Sequence, residues 1–163
     1  MRVQLSLGSN LGDKNRQLDA ALHALDAHEH ITLTTVSLRY ETEPVGLEEQ
    51  PLFVNQAAEI ETELAPLELL NAVKDIEQSL GRTPGKRWGP RIVDIDLILY
   101  EDQVLDNPRL TLPHPEFRQR NFVLQPMAEI ASDWIDPITG LTIGELSTAP
   151  DAQGHVEPIH TAT

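Results

Sequence analysis

The sequence predicts one α+β domain whose strands and helices follow the order β-α-β-β-α-β. Short segments of alternating apolar and polar residues, typical of strands, are separated by two longer segments with apolar residues at helical spacing. The chain has 163 residues and no cysteine, a length that can bury one core without disulfides. We expect the domain to span residues 1–147. Residues 148–163 have no apolar period and are expected to form a flexible C-terminal tail.

The first half of the predicted unit contains a strand, a helix and two further strands. Residues 3–7 alternate apolar and polar side chains, which predicts a strand. The first helix is predicted over 13–26, with Asp13 as its N-cap. Strands are predicted over 31–40 and 52–61. The first of these two is expected to contain a bulge or twist, because its apolar phase shifts in the middle.

The second half adds a helix, a loop and a strand. Pro66 begins the second helix and Gly81 ends it. A basic loop rich in glycine and proline follows over 82–90. The next strand has alternating apolar residues that we expect to face the core: Val93, Ile95, Leu97 and Leu99.

Additional C-terminal helices are predicted over 119–131 and 143–146. Together the elements have the order of the ferredoxin-like split unit, an antiparallel sheet of four strands with helices on one face.

The charge distribution favours a small anionic ligand. The net charge of −14 argues against general binding of nucleic acid or of an anionic membrane. The segment 82–120 nevertheless carries seven basic and six acidic residues, so most of the arginine is concentrated there. Clustered guanidinium groups suit a nucleoside triphosphate. The alternative is a solvated surface patch. The start of the chain does not resemble a signal peptide and no apolar run is long enough to span a bilayer, so we expect a soluble, cytoplasmic monomer.

Asp94 and Asp96 form the first candidate site. Residues two apart on a strand point to the same face, so both carboxylates are expected on one side of the sheet. Two close carboxylates, completed by phosphate and water oxygens, are ligands that Mg²⁺ accepts. The alternative is a solvent-facing strand with two ordinary aspartates. Arg87 and Arg91 lie just upstream, and carboxylates beside basic residues are typical of phosphoryl transfer.

Other residues extend this hypothesis. Trp88 lies in the glycine and proline loop and offers a flat face for a ring. His114 lies between two prolines and is either a ligand-binding donor or a turn cap. Phe53 and Asn55 share one face of a strand, which suits a flat heteroaromatic with hydrogen-bonding edges or, equally, simple packing beside an edge amide.

Two segments make the sequence resemble a known family. They are Leu7-Gly8-Ser9-Asn10-Leu11-Gly12 and Arg87-Trp88-Gly89-Pro90-Arg91-Ile92-Val93-Asp94-Ile95-Asp96-Leu97-Ile98. The sequence resembles the 6-hydroxymethyl-7,8-dihydropterin pyrophosphokinases of folate biosynthesis, over about three-quarters of the chain. The resemblance implies a ferredoxin-like fold and the transfer of pyrophosphate from ATP to the pterin alcohol, with AMP as the other product. Attack on the β-phosphorus would be in line.

The resemblance also implies a role for individual residues. Asp94 and Asp96 would hold two Mg²⁺ ions, and the implied catalytic residues are Arg82, Arg91, Asp94 and Asp96. The implied ATP contacts are Glu77, Arg82, Trp88, Arg91, Leu97, Arg109, Thr111, His114, Arg118 and Arg120. The implied pterin contacts are Thr42, Glu43, Val45, Phe53, Asn55, Trp88, Asp94 and Phe122.

Two alternative functions are consistent with parts of the pattern. An RNA-binding module shares the split β-α-β order, but it needs exposed aromatic residues and a basic sheet face, whereas this chain is 4% aromatic and acidic. A Mg²⁺-dependent phosphohydrolase would use the same aspartates without the pterin.

Overall fold

Strands and helices occur along the chain in the predicted order. The computed structural model describes residues 1–10, 12–42, 53–81, 93–149 and 156–158. The strands are β1 (Arg2–Ser9), β2 (Ile31–Val36), β3 (Tyr40–Thr42), β4 (Phe53–Thr62), β5 (Asp94–Tyr100), β6 (Leu105–Asn107), β7 (Leu110–Leu112) and β8 (Val156–Pro158). The helices are α1 (Lys14–Ala27), α2 (Pro66–Gly81), α3 (Asn121–Ala131) and α4 (Ile143–Ser147), with a 3-10 turn at Phe117–Gln119.

The main sheet is antiparallel and has the order β5-β1-β4-β3-β8, with β2 also paired to β4. The elements β1, α1, β2, β4, α2 and β5 form the predicted ferredoxin-like unit. The fold class predicted from the sequence is therefore confirmed. Strands β6 and β7 form a separate hairpin that follows β5 in the chain.

The predicted strand over 31–40 is divided into β2 and β3, which pair with different ends of β4. The division lies at Ser37, which bonds to Ala57 with both its backbone and its side chain: its N donates to Ala57 O at 2.9 Å, and its Oγ accepts from the backbone N of Ala57 at 2.9 Å. The predicted bulge is confirmed, since the β2–β4 register shifts between Leu33 and Thr35.

Helices α1 and α2 cover one face of the sheet. Asp13 is the N-cap of α1 and its side chain accepts from the backbone N of Arg16, as predicted. The main core between these helices and the sheet contains fully buried residues of both: Val3, Leu5, Leu7, Leu18, Ala21, Leu25, Ile60, Leu69, Val73 and Ile95. Each such leucine or isoleucine contributes about 1.5–3 kcal/mol by leaving water, so this face fixes the orientation of the strands.

Helices α3 and α4 cover part of the opposite face, where a second apolar cluster includes Ala57, Phe117, Leu124 and Met127. Leu99 belongs to this second cluster, so the prediction that it shares a face with Val93, Ile95 and Leu97 was wrong. The β1–β5 register shifts between Gln4 and Leu5, and this irregularity reverses which face of the sheet the side chains at the end of β5 point to. Within the described ranges, no helix is both long enough and apolar enough to cross a membrane.

Part of the predicted C-terminal tail forms a strand of the sheet. Val156–Pro158 forms β8 and pairs with Tyr40–Thr42 of β3. A short extended segment can hydrogen-bond to the edge of a sheet, as these three residues do at β3. The flexibility of residues 148–163 stays a prediction.

Candidate active site

Asp94 and Asp96 project from β5 on one face of the sheet, as their spacing predicts. In the β1–β5 ladder Asp94 lies opposite Gly8, and Asp96 lies opposite Ser6. Asp94 is half-buried and Asp96 is exposed, whereas Ile95 between them is fully buried in the core on the other face. The two Cα atoms are roughly 7 Å apart along the strand. Both carboxylates therefore reach the same solvent-facing region.

A row of directly paired residues extends this face across four strands. Gly8 on β1 pairs with Asp94 on one side and with Asn55 on the other, and Asn55 pairs with Tyr40 on β3. Directly paired residues of antiparallel strands share a face. Asn55 is only 4% exposed. A Cβ atom added at Gly8 would lie 2.7 Å from Asn55 Oδ1. The Asn55 carboxamide thus lies over Gly8, on the side of Asp94.

Two aromatic residues belong to this face of the sheet and to the helix that covers it. Phe53 is two residues before Asn55 on β4, so it faces the same way, and it is half-buried. Phe122 is in the first turn of α3 and packs against the second apolar cluster, which also contains Ala57 of β4. The helix that carries Phe122 therefore covers the sheet face that carries Asn55. Such an arrangement suits a flat ring with hydrogen-bonding edges.

His114 lies beside the carboxylate pair. Its backbone N donates to Ile98 O of β5 at 2.9 Å. Burial lowers the pKa of His114 below its ordinary value, and the nearby positive charge of Arg120 lowers it further against the opposing effect of Asp96. The neutral ring accepts from the backbone N of Glu116 at Nδ1, at 3.2 Å. Its Nε2 therefore carries the hydrogen and can donate to an anionic ligand.

Arg120 is close to this histidine and to Phe122. Its guanidinium carbon is 5.6 Å from the Phe122 ring centroid, and it forms an exposed ion pair with Glu116. An exposed pair of this kind contributes little to stability, so the guanidinium can exchange Glu116 for a phosphate at small cost.

The other predicted nucleotide contacts each have a partner or a position of their own in the described structure. The Arg118 guanidinium pairs with the buried Asp136, and Arg109 contacts Asn71 of α2. Thr111 is half-buried on β7. Glu77 accepts from the backbone N of Ile95 at 2.8 Å and pairs with Lys74 at 2.9 Å, so it closes the edge of β5.

The Leu97 side chain is 3% exposed in the main core, which leaves its backbone as the part that a nucleotide could contact. These five assignments, like the rest of the predicted site, stay predictions.

Several predicted site residues lie outside the described residues: Arg82, Trp88, Arg91, Glu43 and Val45. The backbone of Thr42 is described as part of β3, but its side chain is not.

The carboxylate pair fits a hard divalent cation only in part. Within the described ranges no group of three or more His, Asp or Glu side chains could hold a metal ion. Asp94 and Asp96 provide oxygen donors of the type that Mg²⁺ prefers, and Mg²⁺ usually completes its shell with water and substrate phosphates. The donor set therefore suits Mg²⁺ that arrives with a phosphate ligand.

Two parts of the site were not predicted as such. The first strand was predicted over residues 3–7, yet β1 continues to Ser9, and the missing side chain of Gly8 makes room for Asn55. Tyr40 was not named among the candidate residues, and its hydroxyl donates to Glu129 of α3 at 2.5 Å. Neither role has a local signal, since both depend on residues more than forty positions away in sequence.

Comparison with known proteins identifies one family. The family model described as 7,8-dihydro-6-hydroxymethylpterin-pyrophosphokinase matches residues 4–132. A Bacillus subtilis protein named 2-amino-4-hydroxy-6-hydroxymethyldihydropteridine pyrophosphokinase is 47% identical over 126 residues, which cover 77% of this chain and 75% of that protein. A protein of the same name from Haemophilus influenzae is 44% identical over 133 residues, covering 82% and 83%.

Solved structures show the same fold. The wild-type crystal structure of Plasmodium falciparum HPPK-DHPS superposes with a TM-score of 0.72 at 15% identity and covers 90% of this chain. This chain spans 44% of that one.

Proposed function

This chain belongs to the 7,8-dihydro-6-hydroxymethylpterin-pyrophosphokinase family, whose enzymes transfer pyrophosphate from ATP to a hydroxymethyl-dihydropterin in folate synthesis. We propose that it performs this reaction on the sheet face of Asp94, Gly8 and Asn55. One observation carries the proposal: Gly8 pairs directly with Asp94 and with Asn55. The Asp94 carboxylate, which suits metal-bound phosphates, and the Asn55 carboxamide, which suits a pterin edge, thus lie on the two strands that flank Gly8.

The proposed reaction is an in-line displacement. The hydroxymethyl oxygen of the pterin forms a bond to the β-phosphorus of ATP, and the bond between that phosphorus and the α,β-bridging oxygen breaks, so that AMP leaves. The hydroxyl proton passes to solvent or to a carboxylate of the site. The chain binds and orients both substrates, which accounts for most of the catalysis in such reactions.

Asp94 and Asp96 would hold two Mg²⁺ ions, which supply positive charge for the phosphate oxygens of ATP. The pair reaches solvent from one strand face, while Ile95 anchors the strand in the core between them. By resemblance to the family, Arg82 and Arg91 would contact the migrating phosphates. Those arginines lie outside the described residues.

The nucleotide is proposed to lie along His114 and Arg120. His114 has its Nε2 hydrogen available and lies near Asp96, and Arg120 can turn from Glu116 to a phosphate. The further contacts implied by the family are Glu77, Trp88, Leu97, Arg109, Thr111 and Arg118.

The pterin is proposed to lie against Asn55, with Phe53 and Phe122 on its faces. The Asn55 carboxamide is buried over Gly8, so it is held in place and can form hydrogen bonds with the donors and acceptors of the pterin edge. Backbone contacts from the segment containing Thr42, Glu43 and Val45, and closure by Trp88, are implied by the family.

The direct test is to measure nucleotide products with and without the pterin. We expect AMP to form from ATP and Mg²⁺ only when 6-hydroxymethyl-7,8-dihydropterin is present, in equal amount to the pterin pyrophosphate. Release of ADP or phosphate without pterin would instead indicate a phosphohydrolase and contradict the proposal. Omitting Mg²⁺ with a chelator tests the metal requirement in the same assay.

Replacing Gly8 by alanine should weaken pterin binding selectively. The added Cβ would displace Asn55 Oδ1 from a separation of 2.7 Å. The loss of one well-placed hydrogen bond should raise KM for the pterin about tenfold, with little change in KM for ATP. Steady-state kinetics in both substrates measures this. In an Asn55→Ala background the same change should add almost nothing, since the group it displaces is gone; full additivity would argue against this role of Gly8.

A further inference from the structure

One carboxylate joins α3 to the strand beside the proposed pterin site. Glu129, near the end of α3, accepts from Tyr40 Oη at 2.5 Å and from the backbone N of Leu38 at 2.9 Å. Each of its two oxygens therefore receives a hydrogen bond, one from the first residue of β3 and one from the residue two positions before that strand. A charged acceptor with two donors is more strongly held than an ordinary surface glutamate.

The same helix carries Phe122. Phe122 and Glu129 are seven residues apart, close to two helical turns, so they lie on the same side of α3. Between them is Pro126, which has no N–H to donate to the carbonyl of Phe122. The turn that carries Phe122 thus has one helical hydrogen bond fewer than usual. Its position depends more strongly on contacts that α3 makes with the sheet.

The strand partner of this contact is equally close to the site. Tyr40 pairs directly with Asn55, and Thr42 pairs with Phe53. Burial, together with the hydrogen bond to Glu129 and its negative charge, raises the pKa of Tyr40 to about 12. The phenol therefore remains a donor at every pH at which the enzyme is assayed.

We propose that Glu129 is a positioning residue that, by binding Tyr40 and Leu38, sets the separation between Phe122 on α3 and the Asn55–Phe53 face of β4, and so the width of the slot for the pterin ring. The inference rests on the proposed function. Glu129 does not touch the substrate; it acts through the placement of α3. A slot of fixed width favours a planar bicyclic substrate. His114 lies outside α3, so its nucleotide contact does not depend on the position of the helix, whereas Arg120 is the N-cap of α3 and moves with Phe122.

The experiment compares Glu129→Ala and Tyr40→Phe with the parent enzyme. Tyr40→Phe removes only the hydroxyl and should fold normally. Asp133→Asn is the matched control, because Asp133 is an exposed carboxylate just after α3. The readouts are kcat, KM for each substrate, and calorimetric binding of 6-hydroxymethyl-7,8-dihydropterin in the presence of a non-hydrolysable ATP analogue and Mg²⁺. Thermal unfolding is measured alongside.

We expect Glu129→Ala and Tyr40→Phe to raise KM and Kd for the pterin about tenfold, with kcat within about twofold of the parent. KM for ATP should rise by less, about threefold at most, because Arg120 at the start of α3 is only one of the proposed nucleotide contacts. The double variant should be no worse than Glu129→Ala alone, because both changes remove one interaction. Asp133→Asn should behave like the parent.

The proposal is overturned if pterin binding is unchanged in both variants. It is also overturned if kcat and both KM values change together with the melting temperature, which would indicate a purely structural contact. If the parent enzyme itself makes no pterin-dependent AMP, the proposed function fails instead. The calorimetric measurement of pterin binding then tests by itself whether Glu129 affects binding of the ring.

Discussion

Replacing Asp96 by asparagine is expected to lower kcat for pterin-dependent AMP formation by roughly 10²–10³-fold. Asparagine keeps the size of the side chain but removes the charge that would hold Mg²⁺ near the phosphates. Asp94→Asn should have an effect of the same order, since the two carboxylates share one face of β5. Steady-state kinetics at saturating ATP, pterin and Mg²⁺ measures the loss.

Folding should survive these changes. Asp96 is exposed, and removing one of two neighbouring negative charges relieves repulsion, so the melting temperature should stay the same or rise slightly. Asp102→Asn is a suitable control, because Asp102 is an exposed carboxylate in the turn after β5. Activity retained within threefold in Asp96→Asn would refute the assignment of this carboxylate to a metal.

Replacing Asp136 by alanine should destabilise the protein by about 3 kcal/mol, because it would leave the Arg118 guanidinium half-buried and without its partner. Asp136 is fully buried. It accepts from Arg118 Nε at 2.5 Å and Nη2 at 2.9 Å, from the backbone N of Ile138 at 3.0 Å and from Thr139 Oγ1 at 2.7 Å. In a chain of this size the loss corresponds to a melting temperature lower by roughly 10 °C. Calorimetric or circular-dichroism melting at pH 7 measures it.

The Asp136 contribution should also depend on pH. Burial alone would raise the pKa of Asp136, but hydrogen bonds from Arg118, Ile138 and Thr139 outweigh it and lower the pKa below its ordinary value of 3.8. A carboxyl with a lowered pKa stabilises the fold above that ordinary value and loses this effect as pH falls through its folded pKa. The difference in stability between parent and Asp136→Ala should therefore shrink in acid. A difference that is below 1 kcal/mol at pH 7 would show that the pair is not important.

The helices and most strands could be predicted because their signals are local. Asp13 caps α1 and Pro66 begins α2 by chemistry contained within one turn of each helix. The break between β2 and β3 could not be predicted, since it depends on Ser37 bonding to Ala57, twenty residues away. The face of Leu99 could not be predicted either, because the irregularity that turns it lies in the pairing of β5 with β1.

The candidate site also combines features with a local sequence signal and features that depend on long-range contacts. The i, i+2 spacing of Asp94 and Asp96, and of Phe53 and Asn55, predicts which side chains share a face, since a strand repeats every two residues. The pairing that joins both sets through Gly8 is a long-range property of the sheet. Arg118 illustrates a contact with no local signal: its guanidinium pairs with an aspartate eighteen residues downstream, and the ATP contact that the family resemblance implies for it stays a prediction.

Strand β8 has a consequence for how the protein behaves at high concentration. An uncovered strand edge presents backbone N–H and C=O groups that can recruit another chain into edge-to-edge aggregates. Val156–Pro158 occupies that position along Tyr40–Thr42. The edge nearest to Asn55 is thus shielded by the chain's own C-terminal segment, so the strands of the proposed pterin site are also protected from intermolecular β-pairing.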